Sequence, residues 1–257
     1  MKRFLTQLLL FIAIPSTLLV ASLMVTFYIS TTIDYKLDKK ITQVFAGDSH
    51  IQNAVNDNLL KDCKNIACAS ESFYFTYFKL KKLLENNPNI KKVYLGASYH
   101  SLSNYYDAFI TGEFSSSVSP KYFYVLPMSE KLMHIRINLT NLPTFINGVF
   151  SNNYKYLFKD SHYDYGSYSN EFIKTTAVKS FMNKRLRFQY YTDGQLNPFS
   201  KINQFYLTKI KLLCKNHNVD LRLLNTPLHP YFKNKIPINY LNKFKDFVRV
   251  NKLNVID

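Results

Sequence analysis

The chain has 257 residues, 47% of them hydrophobic and 16% aromatic, with 20 Tyr and 21 Phe but no Trp. Such a chain can bury a core, and its 6 Gly and 9 Pro are too few for a fibrous or low-complexity protein, so global disorder is excluded. The formal charge of +16 comes mostly from Lys spread along the chain, as at 79–82, 91–92 and 233–235, and reads as a solvated basic surface suited to anionic lipid or polysaccharide; no Arg-rich helix, zinc-finger spacing or RNA-binding aromatic motif points to nucleic acid.

Met1, Lys2 and Arg3 precede a run from Phe4 to Ile29 without a charged residue. About 20 apolar residues cross a bilayer, whereas a cleavable signal has an apolar region of about 7–15. Val20-Ala21-Ser22 is a poor cleavage site, apolar sequence continues past it, and no Cys near the end of the run supports a lipid anchor. Residues 1–30 are therefore expected to form a retained signal anchor, one transmembrane helix. Lys2 and Arg3 favour a cytoplasmic N-terminus, although Lys36, Lys39 and Lys40 stand on the far flank. The short tail before the anchor places the body outside the inner or plasma membrane.

The body, 41–257, alternates strands with helices. Residues 41–46 read as a strand ending at Gly47, followed by helical character from about 51 to 60 and a short strand at 65–67. Ser70 and Glu71 look like a helix start, and Phe73, Tyr77, Leu80 and Leu84 follow as an amphipathic stripe that Asn86-Asn87-Pro88 stops. A third strand at 91–96 again ends in Gly. From about 101 to 198 the chain is rich in Tyr, Phe, Ser and Asn, interrupted by Pro120, Pro127, Pro143 and Pro198, and reads as an insertion over the core. A helix carrying Ile202, Tyr206, Ile210 and Leu213, a strand at 219–224, a helix through Leu241, Phe244 and Val248, and a last strand at 253–257 complete the pattern. Such alternation predicts an α/β domain with a mostly parallel sheet, whose reactive groups collect at the carboxyl ends of the strands.

Polar motifs fall at those ends. Gly47-Asp48-Ser49-His50 places a serine at a strand-to-helix turn, Asn65-Ile66-Ala67-Cys68-Ala69-Ser70 follows the second strand, and Leu95-Gly96-Ala97-Ser98 the third. Over residues 41–100, and loosely the last two strands, the chain resembles the GDSL/SGNH hydrolases. The resemblance implies a three-layer, SGNH/flavodoxin-like domain and acyl transfer at an ester, with Ser49 as nucleophile. It also implies an oxyanion hole from the N–H groups of Ser49 and Ala67 and the hydroxyl of Ser98. The chain departs from the family pattern in having Ala67 and Ser70 for two glycines and Ser98 for an asparagine, and losing one oxyanion donor costs about 2.7–4 kcal/mol.

The family's base comes from an Asp-x-x-His block beyond its last core strand, and no such block occurs here. The expectation is a sequence truncated before its base; the alternative is a domain that has lost the dyad. Of the substitutes, His100, just past the third strand, is the best placed, and His229, past the next strand, is second. His50 follows the serine directly and points to another side of the helix start, while His134, His162 and His217 lie in the insertion or late in a helix. No His/Asp/Glu grouping has metal-ligand spacing, Cys63, Cys68 and Cys214 form no CxxC, and nothing calls for an organic cofactor. The function implied is an extracytoplasmic serine esterase or acyl transferase acting on cell-envelope carbohydrate esters, with the membrane and an acylated glycan as partners. The alternative is an inactive SGNH-like binding or scaffold protein of polysaccharide assembly.

Overall fold

The structure, a computed structural model, describes residues 2–170 and 178–256. In chain order its longer elements are α1 (Lys2–Thr32), β1 (Gln43–Ala46), α2 (Ser49–Ala54), β2 (Cys63–Asn65), α3 (Phe73–Asn86), β3 (Lys92–Gly96), α4 (Met128–Ile137), α5 (Leu142–Phe158), α6 (Val178–Tyr190), α7 (Lys201–Asn216), β4 (Asp220–Leu224), α8 (Ile238–Val250) and β5 (Val255–Ile256). Asp257, expected to close the last strand, lies outside the described residues, as does the stretch 171–177 of the expected insertion. Two compact units result, one from Met1–Tyr35 with Ser115–Tyr163, the other from Lys36–Phe114 with Asp164–Asp257. The centre of the expected insertion therefore groups with the apolar N-terminal helix, while its two ends group with the sheet.

In the first unit, α1 has 31 residues and an 18-residue stretch of mean hydropathy 2.5. At 1.5 Å per residue it is about 46 Å long, against a bilayer hydrocarbon core of about 30 Å, so it is long and apolar enough to cross a membrane. Its buried side chains are Ser22, Thr26 and Ile29, spaced by four and three along one stripe. Asn153 of α5 meets that stripe: its Nδ2 donates to Ser22 O at 3.1 Å and to Ser22 Oγ at 3.2 Å, and its Oδ1 accepts from Thr26 Oγ1 at 3.0 Å. The Tyr124 hydroxyl donates to the same Oδ1 at 2.7 Å, so a buried amide is paired on both sides. His134 of α4 is also buried, which pulls its imidazole down to about 4 and leaves it neutral.

The second unit is α/β. Its five strands lie in the order β2-β1-β3-β4-β5 and every pairing is parallel. Apolar runs drive this: Val44, Val93, Leu95 and Leu223 are fully buried, as the interior of a parallel sheet requires. Because β2 and β3 flank β1 on opposite sides, the chain changes direction between β1 and β3, and a crevice opens there beyond the carboxyl ends. Two glycines permit the close approach at that point. Gly47 has φ of +140°, and a Cβ on it would lie 3.2 Å from Gly96 Cα; a Cβ on Gly96 would lie 2.2 Å from Ile51 Cγ1.

Helix α3 begins later than the sequence suggests, at Phe73 with Ser72 in the cap position, and its stripe is wider. Glu71 opens no helical turn. It is buried at 3% exposure and pairs with Lys79, at 0% exposure, in the middle of the Lys-rich 79–82 segment that reads as solvated surface. Lys79 Nζ donates to Glu71 Oε2, to Ile66 O and to Tyr165 O, and Thr76 Oγ1 donates to Glu71 Oε1 at 2.7 Å. A buried Lys is tolerated only when all of its donors are spent in this way.

Candidate active site

The crevice is lined by the turns that follow the first four strands of the sheet. Gly47 ends β1 in a turn that only a residue free to take positive φ accepts, and Asp48 then caps α2, its Oδ1 accepting from His50 N–H at 2.9 Å. This puts Ser49 at the first position of α2, half-buried and facing open space. It lines a cavity of about 580 Å³ with His50, Ala69, Ser70, Tyr105, Tyr106, Arg185 and Gln189. It also lines one of about 330 Å³ with Thr226, Pro227, Leu228 and His229. One wall of both cavities comes from α6, whose residues lie in the segment that the sequence shows only as insertion.

Behind Ser49 sits a buried polar cluster. His100 Nε2 is 3.0 Å from Asp48 Oδ2, the Tyr106 hydroxyl donates to the same oxygen, and the rings of His50 and His100 stand 4.4 Å apart. Burial alone would raise the Asp48 carboxyl, but the imidazoles of His50 and His100 and the Tyr106 hydroxyl hold it below the usual carboxylate range. Burial and the neighbouring His100 pull His50 down to about 4, so it is a neutral imidazole at pH 7. Tyr106 is pushed up, first by burial and then by the Asp48 charge, and stays a donor.

The residues expected from the sequence are only partly brought together. Ser49 is at the mouth, and no hydrogen bond ties its hydroxyl to another described residue. The Ala67 N–H, expected to face an oxyanion, donates instead to Asn65 Oδ1 at 2.9 Å, and Ala67 is fully buried. Ser98 is buried too; its hydroxyl, the group expected at the oxyanion, has no hydrogen-bond partner among the described residues, and neither residue lines either cavity. His100, at 1% exposure, turns to Asp48, and its Nδ1 has no partner. His229 does share a cavity with Ser49, but its Nδ1 accepts from Tyr231 N–H at 3.1 Å. A neutral ring held this way carries its proton on Nε2 and offers a donor, not a base.

Sequence spacing gave no hint of Tyr106 or of α6. It also missed a possible cation cluster, because Asp48, His50 and His100 each offer a ligand atom and these lie within 4.8 Å of one another. Both Asp48 oxygens already accept from N–H or O–H donors, so the carboxylate is satisfied without an ion. Cys63, Cys68 and Cys214 are free thiols. Compared with family models, with curated proteins and with solved structures, the chain matches none.

Proposed function

We propose that this protein is a membrane-anchored, SGNH-like serine esterase or acyl transferase acting on carbohydrate esters of the cell envelope. The observation that carries the reading is the place of Ser49: an unengaged hydroxyl at the carboxyl end of β1, beside the crevice where the strand order reverses, lining both cavities. The strand order is that of a doubly wound sheet and supports a three-layer SGNH-type domain. Helix α1, with Lys2 and Arg3 before it, supports a single-pass anchor in the inner or plasma membrane and an extracytoplasmic body.

In the reaction Ser49 Oγ adds to the ester carbonyl, its proton passes to a base, and the leaving alkoxide takes up a proton as the acyl-enzyme forms. Water or a sugar hydroxyl then takes the acyl group from Ser49. No imidazole among the described residues is hydrogen-bonded to Ser49, so slow acylation is expected from this chain. The full chain in detergent micelles, incubated with p-nitrophenyl acetate, is expected to release nitrophenol faster than its Ser49→Ala variant and to carry an acetyl group on the peptide containing Ser49. Equal rates and an unmodified peptide would refute the reading.

A second reading is favoured by the committed Ala67 N–H and the Asp48-bound His100: an SGNH-like domain that binds a glycan at the same cavity without turnover. Ligand binding with no difference between the native chain and Ser49→Ala in the esterase assay would select it.

A further inference from the structure

Phe181, Arg185 and Gln189 are spaced by four along α6 and share one face of it, and all three line both cavities that Ser49 lines. The Arg185 guanidinium lies 5.3 Å from the centroid of the Phe181 ring, a cation–π contact. It makes no ion pair among the described residues. The acidic side chain lining the larger cavity is Asp48, which is 8% exposed and already accepts from His50 N–H, His100 and Tyr106. Lys184 adds a second positive charge to the same cavity. Among the described residues, the walls therefore present two cations and, in Asp48, only a carboxylate already engaged by hydrogen-bond donors.

A second observation is independent of charge. Gln189 is 3% exposed, and its Oε1 has no hydrogen-bond partner although the residue lines both cavities. Buried amides are almost always paired, and one in a cavity wall that makes no hydrogen bond calls for a partner from whatever fills the cavity. A guanidinium beside a buried carbonyl acceptor on one helix face matches a ligand that carries an oxyanion and, a few ångströms away, a hydroxyl. Tyr105, Tyr106, Phe181 and Phe188 supply flat apolar surface around the pair.

We propose that this face of α6 is a recognition subsite for a polyhydroxylated ligand bearing a carboxylate or phosphate, with Arg185 taking the oxyanion and the Gln189 amide hydrogen-bonding to a hydroxyl. The proposal deepens the ester-site reading and rests on it only in placing the ligand beside Ser49. It narrows the substrate class from carbohydrate esters in general to anionic ones.

The test is calorimetric titration of the full chain in detergent micelles with glucuronate, glucose 6-phosphate and glucose. One or both anionic sugars are expected to bind about tenfold tighter than glucose, the gain from one charge-assisted contact. A preference for glucuronate alone assigns the subsite to a carboxylate, and for glucose 6-phosphate alone to a phosphate. Arg185→Gln is expected to erase the preference and Arg185→Lys to keep most of it, while Gln189→Leu weakens all three sugars together. Equal affinity for the three sugars, or a preference that survives in Arg185→Gln, would overturn the proposal. The affinity pattern holding while Ser49→Ala keeps full esterase activity would remove the ester reading and leave the subsite standing.

Discussion

The Lys79–Glu71 pair makes a sharp demand on stability. Replacing Lys79 by Met keeps the length of the side chain and removes its charge and all of its donors. Three acceptors then lose the ammonium as a donor: the Glu71 carboxylate, the Ile66 carbonyl and the Tyr165 carbonyl. Breaking one side of a buried ion pair costs about 3–5 kcal/mol, because the remaining charge is left uncompensated. With Lys79 at 0% exposure, no water is at hand to lower that figure. Glu71→Leu with Lys79→Met removes both charges but still takes a donor from two carbonyls, so the double variant is expected to recover a large part of the loss and not all of it. Urea unfolding of the full chain in micelles, read by pulse proteolysis, measures all three variants. Losses in the two single variants that simply add in the double would show that the pair is not coupled, and the reasoning would fail. A local effect should accompany the global one. Lys79 holds Tyr165, and at the next residue a Cβ on Gly166 would lie 2.5 Å from Ala67 O, so the backbone there lies directly on the turn after β2. Lys79→Met is expected to speed proteolytic cleavage near residue 165 before global unfolding.

Two further outcomes follow from the buried polar groups. Tyr106→Phe removes a hydroxyl that donates to the buried Asp48 carboxylate and is expected to cost about 1.5–3 kcal/mol in the same urea assay, the range for a hydrogen bond to a charged group; a loss within error of zero would show that the contact does not form. His50 and His134 both titrate at about 4 in the folded protein against 6.5 when unfolded, so the unfolded chain binds more protons between those values. Stability from these groups is complete above about pH 6.5 and falls as the pH drops toward about 4, and His134→Gln should remove part of the slope. A thermal unfolding midpoint that rises over that descent would refute the assignment.

What the sequence discloses and what it hides divide along sequence separation. The strands are legible because each is a short apolar run closed by a turn residue, and the crevice is legible because Gly47 and Gly96 each end such a run. Those signals lie within a few positions of the feature that they announce. The site's chemistry does not. Asp48 is held by His100 from 52 residues away and by Tyr106 from 58, and Lys79 is completed by Tyr165 from 86. Lys79 stands in a run of lysines that local reading assigns to solvent, and only the convergence of Ile66, Glu71 and Tyr165 makes it an interior residue. The motif resemblance rests on the same local signals. It ranks Ala67 and Ser98 by their place after a strand, yet whether an N–H faces the crevice depends on where Asn65 Oδ1 already sits. Arg185 and Gln189 carry no motif and are visible only once α6 is folded against the strand tips. Variants at Asp48, Tyr106 and Arg185 therefore discriminate among functions better than variants at the residues that a strand-end alignment would choose, because their roles exist only in the assembled crevice.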